Sequence, residues 1–138
     1  MWGMDLIISS QHLQQLQVWA QSAHPLECCG ILLGEGNTVS DIIHADNVSP
    51  APERNFEIDA AVLISAEKAA RDEKTNIVGY FHSHPNGVCE PSPEDARLAY
   101  RDGRYWVILA AGKAGAWRAV TGGKLHDCFA PVELITTT

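Results

Sequence analysis

The sequence has no apolar run approaching the ~20 residues that a membrane-crossing helix requires, so no membrane partner is expected. It has no basic excess either: 10 Lys and Arg stand against 17 Asp and Glu, a formal net charge of −7. Nucleic-acid binders carry a basic footprint, so that partner class is disfavoured. The opening residues Met1-Trp2-Gly3-Met4-Asp5 lack the positive region of a secretory signal, and a cytoplasmic location is expected. Met1-Trp2-Gly3 itself reads as an ordinary extension or as part of a contact. Cysteine is scarce and badly spaced for a framework. Cys28, Cys29, Cys89 and Cys128 contain no Cys-x-x-Cys pair, so free thiols are expected and a four-thiolate zinc site is disfavoured. There is no repeat, linker or low-complexity segment. Residues 1–138 are expected to form one domain, long enough to bury about 68–70 % of the unfolded surface.

What is present is concentrated in His82-Ser83-His84-Pro85 and, after a short loop, Ser92-Pro93-Glu94-Asp95. The preceding Asn76-Ile77-Val78-Gly79-Tyr80-Phe81 reads as a buried strand. Residues at i and i+2 of a strand share a face, about 6.6 Å apart, so His82 and His84 can converge on one ion. Ser92 reads as an N-cap, Pro93 as the first helical residue and Asp95 as part of an acidic first turn. Two imidazole nitrogens and one aspartate oxygen give three protein ligands, the count of a catalytic zinc site with one open position. A capping sequence needs no metal, and two histidines on a strand can be core residues. Neither reading alone accounts for both signals in immediate succession.

Along the chain, Leu6-Ile7-Ile8 reads as a strand, followed by a helix capped by Ser9 or Ser10 with Leu13, Leu16, Ala20 and Ala23 on one face. Gly30 to Gly34 and Thr38 to Ile43 read as a hairpin turned at Glu35-Gly36-Asn37. Asp59 caps a helix over about 60–73, with Leu63, Ala66 and Ala70 inward. A third helix is expected from Pro93 to about Arg101, then strands over Tyr105 to Leu109 and Ala116 to Val120, and a last extended region through Ile135. The fold class is α/β of the α+β kind: a central mixed, largely antiparallel sheet flanked by two to three helices.

A zinc-bound water needs a proton acceptor, and 17 acidic residues offer too many candidates for spacing to choose among. Glu27 precedes Cys28-Cys29-Gly30 and a buried strand, but a solvated loop carboxylate would look the same. Here a resemblance contributes. Glu27 to Gly34, Glu-Cys-Cys-Gly-Ile-Leu-Leu-Gly, resembles the Glu-x-Cys-Gly segment of the JAMM (MPN-plus) metalloproteases. His82-x-His84-Pro85, a six-residue spacer and Ser92-x-x-Asp95 are similar to that family's signature, as are Asn55 to Asp59 and Ile77 to Phe81. The likeness runs from about Leu6 to at least Val120. It implies the MPN/JAB, cytidine-deaminase-like architecture, one zinc ion held by His82, His84 and Asp95, Glu27 activating the water, and Ser92 bonding the oxyanion. It implies a compact prokaryotic type of zinc isopeptidase or peptidase, acting after the C-terminal tail of a ubiquitin-like or sulphur-carrier protein. Such a tail is expected to add as a strand beside a sheet edge. Family members often pair, which leaves a homodimer open.

Three other readings compete. The first is a non-catalytic scaffold of the same fold with structural zinc or none. The second is a cysteine hydrolase using Cys89 with His84. The third is a zinc nucleoside deaminase, whose His-x-Glu and Pro-Cys-x-x-Cys pattern is missing.

Overall fold

The computed structural model describes residues 5–138, so the Met1-Trp2-Gly3 stretch lies outside the described residues. The elements follow in the order β1 (Leu6–Ser9), α1 (Ser10–Ala23), β2 (Cys29–Glu35), β3 (Thr38–Ala45), α2 (Ala60–Glu73), β4 (Asn76–Ser83), α3 (Pro93–Leu98), β5 (Tyr105–Ala110), β6 (Lys113–Ala119), β7 (Phe129–Val132) and β8 (Leu134–Thr137). They form one 8-stranded sheet in the order β7-β6-β5-β4-β2-β3-β1-β8. Four neighbouring pairs are antiparallel and three parallel, the mixed, largely antiparallel sheet expected. Among the described residues no helix is long and apolar enough to cross a membrane.

Alternation along the strands sends neighbouring side chains to opposite faces. On one face Leu6, Ile8, Leu32, Phe81, Val107 and Leu109 form a core with Leu16 of α1, joined by Leu13, Trp19, Ala20 and Ala23. On the other, Ile31, Leu33 and Ile77 pack against Ala66 and Ala70 of α2, and Trp106 and Phe129 against Ala96 and Ala99. The helix caps are the expected ones. The Ser9 hydroxyl accepts from the His12 N–H, and the Asp59 carboxylate accepts from the Ala61 N–H.

One irregularity in the central strand sets the orientation of the site. Leu32 pairs with Gly79 but Leu33 pairs with Ile77, so Val78 is an extra residue, a β-bulge. Val78 and Phe81 consequently share the α1-side core, while Tyr80 joins the opposite one. His82 then lies on the Tyr80 side, against Phe56 and Trp106.

Two expectations need correction. The third helix stops at Leu98 and not near Arg101: Ala99 is already extended, with φ −75° and ψ 139°. Its methyl group is buried in the Trp106 and Phe129 cluster, which draws the backbone out of the helix there. The last extended region is also two strands, not one. β7 pairs with β6 at one edge, whereas β8 pairs in parallel with β1 at the other.

Candidate active site

The site is assembled where β4 ends and α3 begins. His84 lies one residue past β4, yet its N–H still bonds the Leu109 carbonyl at 2.9 Å, so both histidines keep strand spacing. Ser92 caps α3 through a reciprocal pair. Its hydroxyl accepts from the Asp95 N–H at 3.0 Å, and Asp95 Oδ2 accepts from the Ser92 N–H at 2.9 Å. That box aims the Asp95 carboxylate back at the strand end. His82, His84, Asp95 and Glu27 are all buried, at 0, 6, 2 and 4 % exposure.

The three expected ligand atoms converge. Asp95 Oδ2 lies 3.0 Å from Nε2 of His82 and 3.0 Å from Nε2 of His84, and the two nitrogens are 3.1 Å apart. Tetrahedral zinc with bonds of 2.0–2.1 Å would hold ligand atoms about 3.3 Å apart, so the spacing is close to what an ion demands. His84 Nδ1 donates to the Val88 carbonyl at 2.8 Å, which leaves the Nε2 lone pair of a neutral ring facing a carboxylate. Two acceptors in contact, out of water, need a positive charge between them. Against the pull of burial, Asp95 and the Val88 carbonyl favour a proton on His84, which supplies that charge in the metal-free protein; a bound cation can take its place, and the donor set fits a divalent metal.

Glu27 reaches the same place from the start of β2. Its carboxylate and the ring nitrogens of His82 and His84 offer ligand atoms all within 4.8 Å of one another. Its Oε1 is buried with no hydrogen-bond partner among the described residues.

The charges follow from this packing. Burial pushes the Glu27 carboxyl up to about 7; His84 opposes the rise and Asp95 adds to it. Burial would also raise Asp95, but the His82 charge and hydrogen bonds from both histidines and the Ser92 N–H outweigh it. They hold that carboxyl well below the usual range. Burial pushes the His82 imidazole down against the pull of Asp95.

The Glu27 shift has a measurable sign. The folded state binds this proton more tightly than the unfolded state, whose value is 4.5. The group's contribution is fully present below 4.5 and is lost as pH rises through about 7. Metal-free protein should therefore lose at most about 3 kcal/mol relative to Glu27→Gln across that window. Denaturant titrations of both proteins at several pH values read this directly, and parallel stability curves would refute it.

Sequence reasoning missed three contributors. Phe56 stacks on the His82 ring with centroids 4.3 Å apart. Ser83, between the two histidines, accepts the Cys28 N–H at 2.9 Å. Asn47 bonds the Glu27 carbonyl at 3.0 Å. The opposite-face position of Ser83 was a readable signal, whereas Asn47 in a proline-flanked loop offered none. The Cys89 and His84 pair is not assembled. Cys89 Sγ donates to the Ile108 carbonyl at 3.4 Å, burial pushes its thiol up, and both ring nitrogens of His84 are engaged elsewhere. β4 is also an interior strand, flanked by β2 and β5, so no sheet edge lies beside the histidines for a tail to extend. Two grooves flank the cluster instead. One of about 540 Å³ is lined by Ala20, His24, His84, Pro85 and Leu109. The other, of about 470 Å³, is lined by Phe56, Leu63, Tyr80, Tyr100 and Trp106.

Known proteins are similar to this chain in sequence and in fold. A desampylase from Pyrococcus furiosus is 29% identical over 132 residues, covering 95% of this chain and 94% of its own. A probable TtuB-protein conjugate cleaving protease from Thermus thermophilus is 30% identical over 97 residues, covering 70% of this chain and 65% of its own. The crystal structure of a JAB1/MPN domain protein from Archaeoglobus fulgidus has the same fold, with a TM-score of 0.62, 23% identity, and coverage of 96% of this chain and 97% of that one. The family model for prokaryotic homologues of the JAB domain matches residues 9–121. The chain belongs to that family, the prokaryotic branch of the JAMM/MPN-plus proteins.

Proposed function

We propose that the protein is a zinc-dependent isopeptidase or peptidase that cuts the bond after the C-terminal tail of a ubiquitin-like or sulphur-carrier protein. The observation that carries this is the buried convergence of His82, His84 and Asp95 with the Glu27 carboxylate beside them, whose buried Oε1 has no partner among the described residues. Relatives named desampylase and TtuB-protein conjugate cleaving protease support the substrate class. We take residues 1–138 as one domain, cytoplasmic, with pairing of two copies open and neither nucleic acid nor membrane as partner.

In this reading His82, His84 and Asp95 hold one Zn²⁺. When bound, the ion polarises the scissile carbonyl and makes water acidic enough to attack at neutral pH. Glu27 accepts the proton of the attacking water and delivers it to the leaving amine. Burial pushes its pKa up to about 7 in the metal-free protein, and a bound cation beside it would draw the value down, keeping the carboxylate ready to accept a proton. The Ser92 hydroxyl receives the Asp95 N–H, so its own proton is free to be donated to the tetrahedral oxygen. Ser92→Ala should lower kcat by about 10²–10³-fold, as loss of one oxyanion donor does elsewhere. It should also cost about 0.5–2 kcal/mol of stability through the lost cap. Steady-state kinetics beside a thermal melt separates the two, and an unchanged kcat would remove Ser92 from the chemistry.

The direct test incubates zinc-loaded protein with tagged conjugates of ubiquitin-like proteins and reads products by intact mass. Cleavage that chelation abolishes and added zinc restores supports the proposal. Stoichiometric zinc with no hydrolysis of any conjugate would favour the scaffold reading instead.

A further inference from the structure

Among the described residues the Glu27 carboxylate has no hydrogen-bonding side chain beside it, and its buried Oε1 has no partner, so its position depends on how its backbone is held. Three bonds hold it. The Glu27 N–H donates to the Pro52 carbonyl at 2.8 Å, the Glu27 carbonyl accepts from Asn47 Nδ2 at 3.0 Å, and the next N–H, of Cys28, donates to Ser83 Oγ at 2.9 Å. The Ser83 N–H returns a bond to the Cys28 carbonyl at 3.1 Å, closing a reciprocal pair onto the strand that carries His82.

Asn47 is the hub of the first arm. Its Nδ2 also meets the Asn55 carbonyl at 3.0 Å and the Pro52 carbonyl at 3.4 Å. Its Oδ1 accepts from the N–H groups of Ser49 at 3.0 Å and Glu57 at 3.1 Å. One side chain thus joins the Glu27 peptide to the loop whose Phe56 stacks on His82. Only an amide offers donors and an acceptor at this reach, and an aspartate of the same shape would turn a carboxylate toward the carbonyls. Asn47 makes no hydrogen bond to His82, His84 or Asp95.

We propose that Asn47 and Ser83 are positioning residues for Glu27, clamping its peptide from two sides so that the carboxylate stands opposite the His82, His84 and Asp95 cluster. This rests on the reading of Glu27 as the general base. Displacements of about 1 Å at a reacting group cost on the order of 10²-fold in rate, which sets the scale.

The test uses the full chain with Asn47→Ala, Asn47→Asp and Ser83→Ala. The expected result is zinc content retained near one per chain, kcat lower by about 10–100-fold and KM within about threefold. Asn47→Asp should lose at least as much as Asn47→Ala. In metal-free protein, amide hydrogen exchange should speed up at Glu27 and Cys28 while Phe81 stays protected. Ser83→Thr, which keeps the hydroxyl, should restore both the rate and the protection at Cys28. Should the Asn47 variants fail to fold, the Ser83 pair tests the same clamp from its other side. Unchanged exchange at Glu27 and Cys28, or a loss carried by KM or by zinc content, would overturn the proposal. A fully active Glu27→Ala would instead sink the general-base reading, and the exchange result would stand apart from it.

Discussion

Glu27→Ala is expected to lower kcat by about 10²–10⁴-fold, the usual worth of a positioned acid or base, while the protein keeps its metal. The residue sits within reach of the cluster, but the tight triangle is made by His82, His84 and Asp95 without it. Removing it should leave three donors in place and take away the proton acceptor. Stability of the metal-free protein should not fall, because the carboxylate is buried with its Oε1 unpartnered among the described residues and its ionised form costs free energy at neutral pH. The variant should therefore be well folded, zinc-loaded and inactive. Zinc content by elemental analysis, a thermal melt and single-turnover cleavage together check this. Near-parental rates, or a variant that no longer binds zinc, would mean that Glu27 does something else here.

Asp95→Ala should fail in the opposite way, losing ion and activity together. The expected fall in zinc affinity exceeds the 10–100-fold or so that loss of an outer hydrogen-bond partner costs a metal site. Asp95 Oδ2 also accepts the Ser92 N–H and lies between two buried imidazoles. Deleting it opens the helix cap and leaves those rings facing each other, a change worth about 3–5 kcal/mol when one member of a buried pair is removed. That stability difference has its own pH signature. The depressed carboxyl contributes above its ordinary value of 3.8, and the contribution disappears as pH falls below it. The gap between parent and Asp95→Ala in metal-free protein should therefore be full at pH 7 and shrink in acid. A gap that stayed constant down to pH 2 would show that Asp95 is not held ionised by its neighbours. The two substitutions thus alter adjacent carboxylates with opposite consequences, one for turnover alone and one for binding, folding and turnover together.

The cluster was legible because its parts obey short-range rules. Strand spacing fixed the relation of His82 to His84, and a three-residue helical step with a proline at N1 fixed that of Ser92 to Asp95. The hairpin around Gly36 was legible for the same reason, since a left-handed φ of 61° is cheap only for glycine there. Glu27 was not legible from its surroundings, because 55 residues separate Cys28 from the Ser83 that secures its peptide, and only the family likeness singled Glu27 out. Asn47 escaped for a related reason. Its bonds all run to backbone atoms, and backbone partners leave no imprint on residue identity. The partner of β8 was hidden too, as a strand pairing across the full length of the chain has no local signal.

The extra residue at Val78 acts as a phase setter for everything downstream in its strand. Drawing Val78 into the regular ladder opposite Leu32 would slide Tyr80, Phe81 and His82 one pairing step along, presenting phenylalanine opposite Cys29 where the imidazole now stands and delivering the imidazole to the greasy side beneath α1. Every ligand-type residue would still be spelled out in the sequence, in unbroken motif order, yet the chain would be blind to metal. Screening genomes for the motif alone would count such a protein as an enzyme; the pairing of Leu32 with Gly79, one step past Leu33 with Ile77, is what tells the two apart.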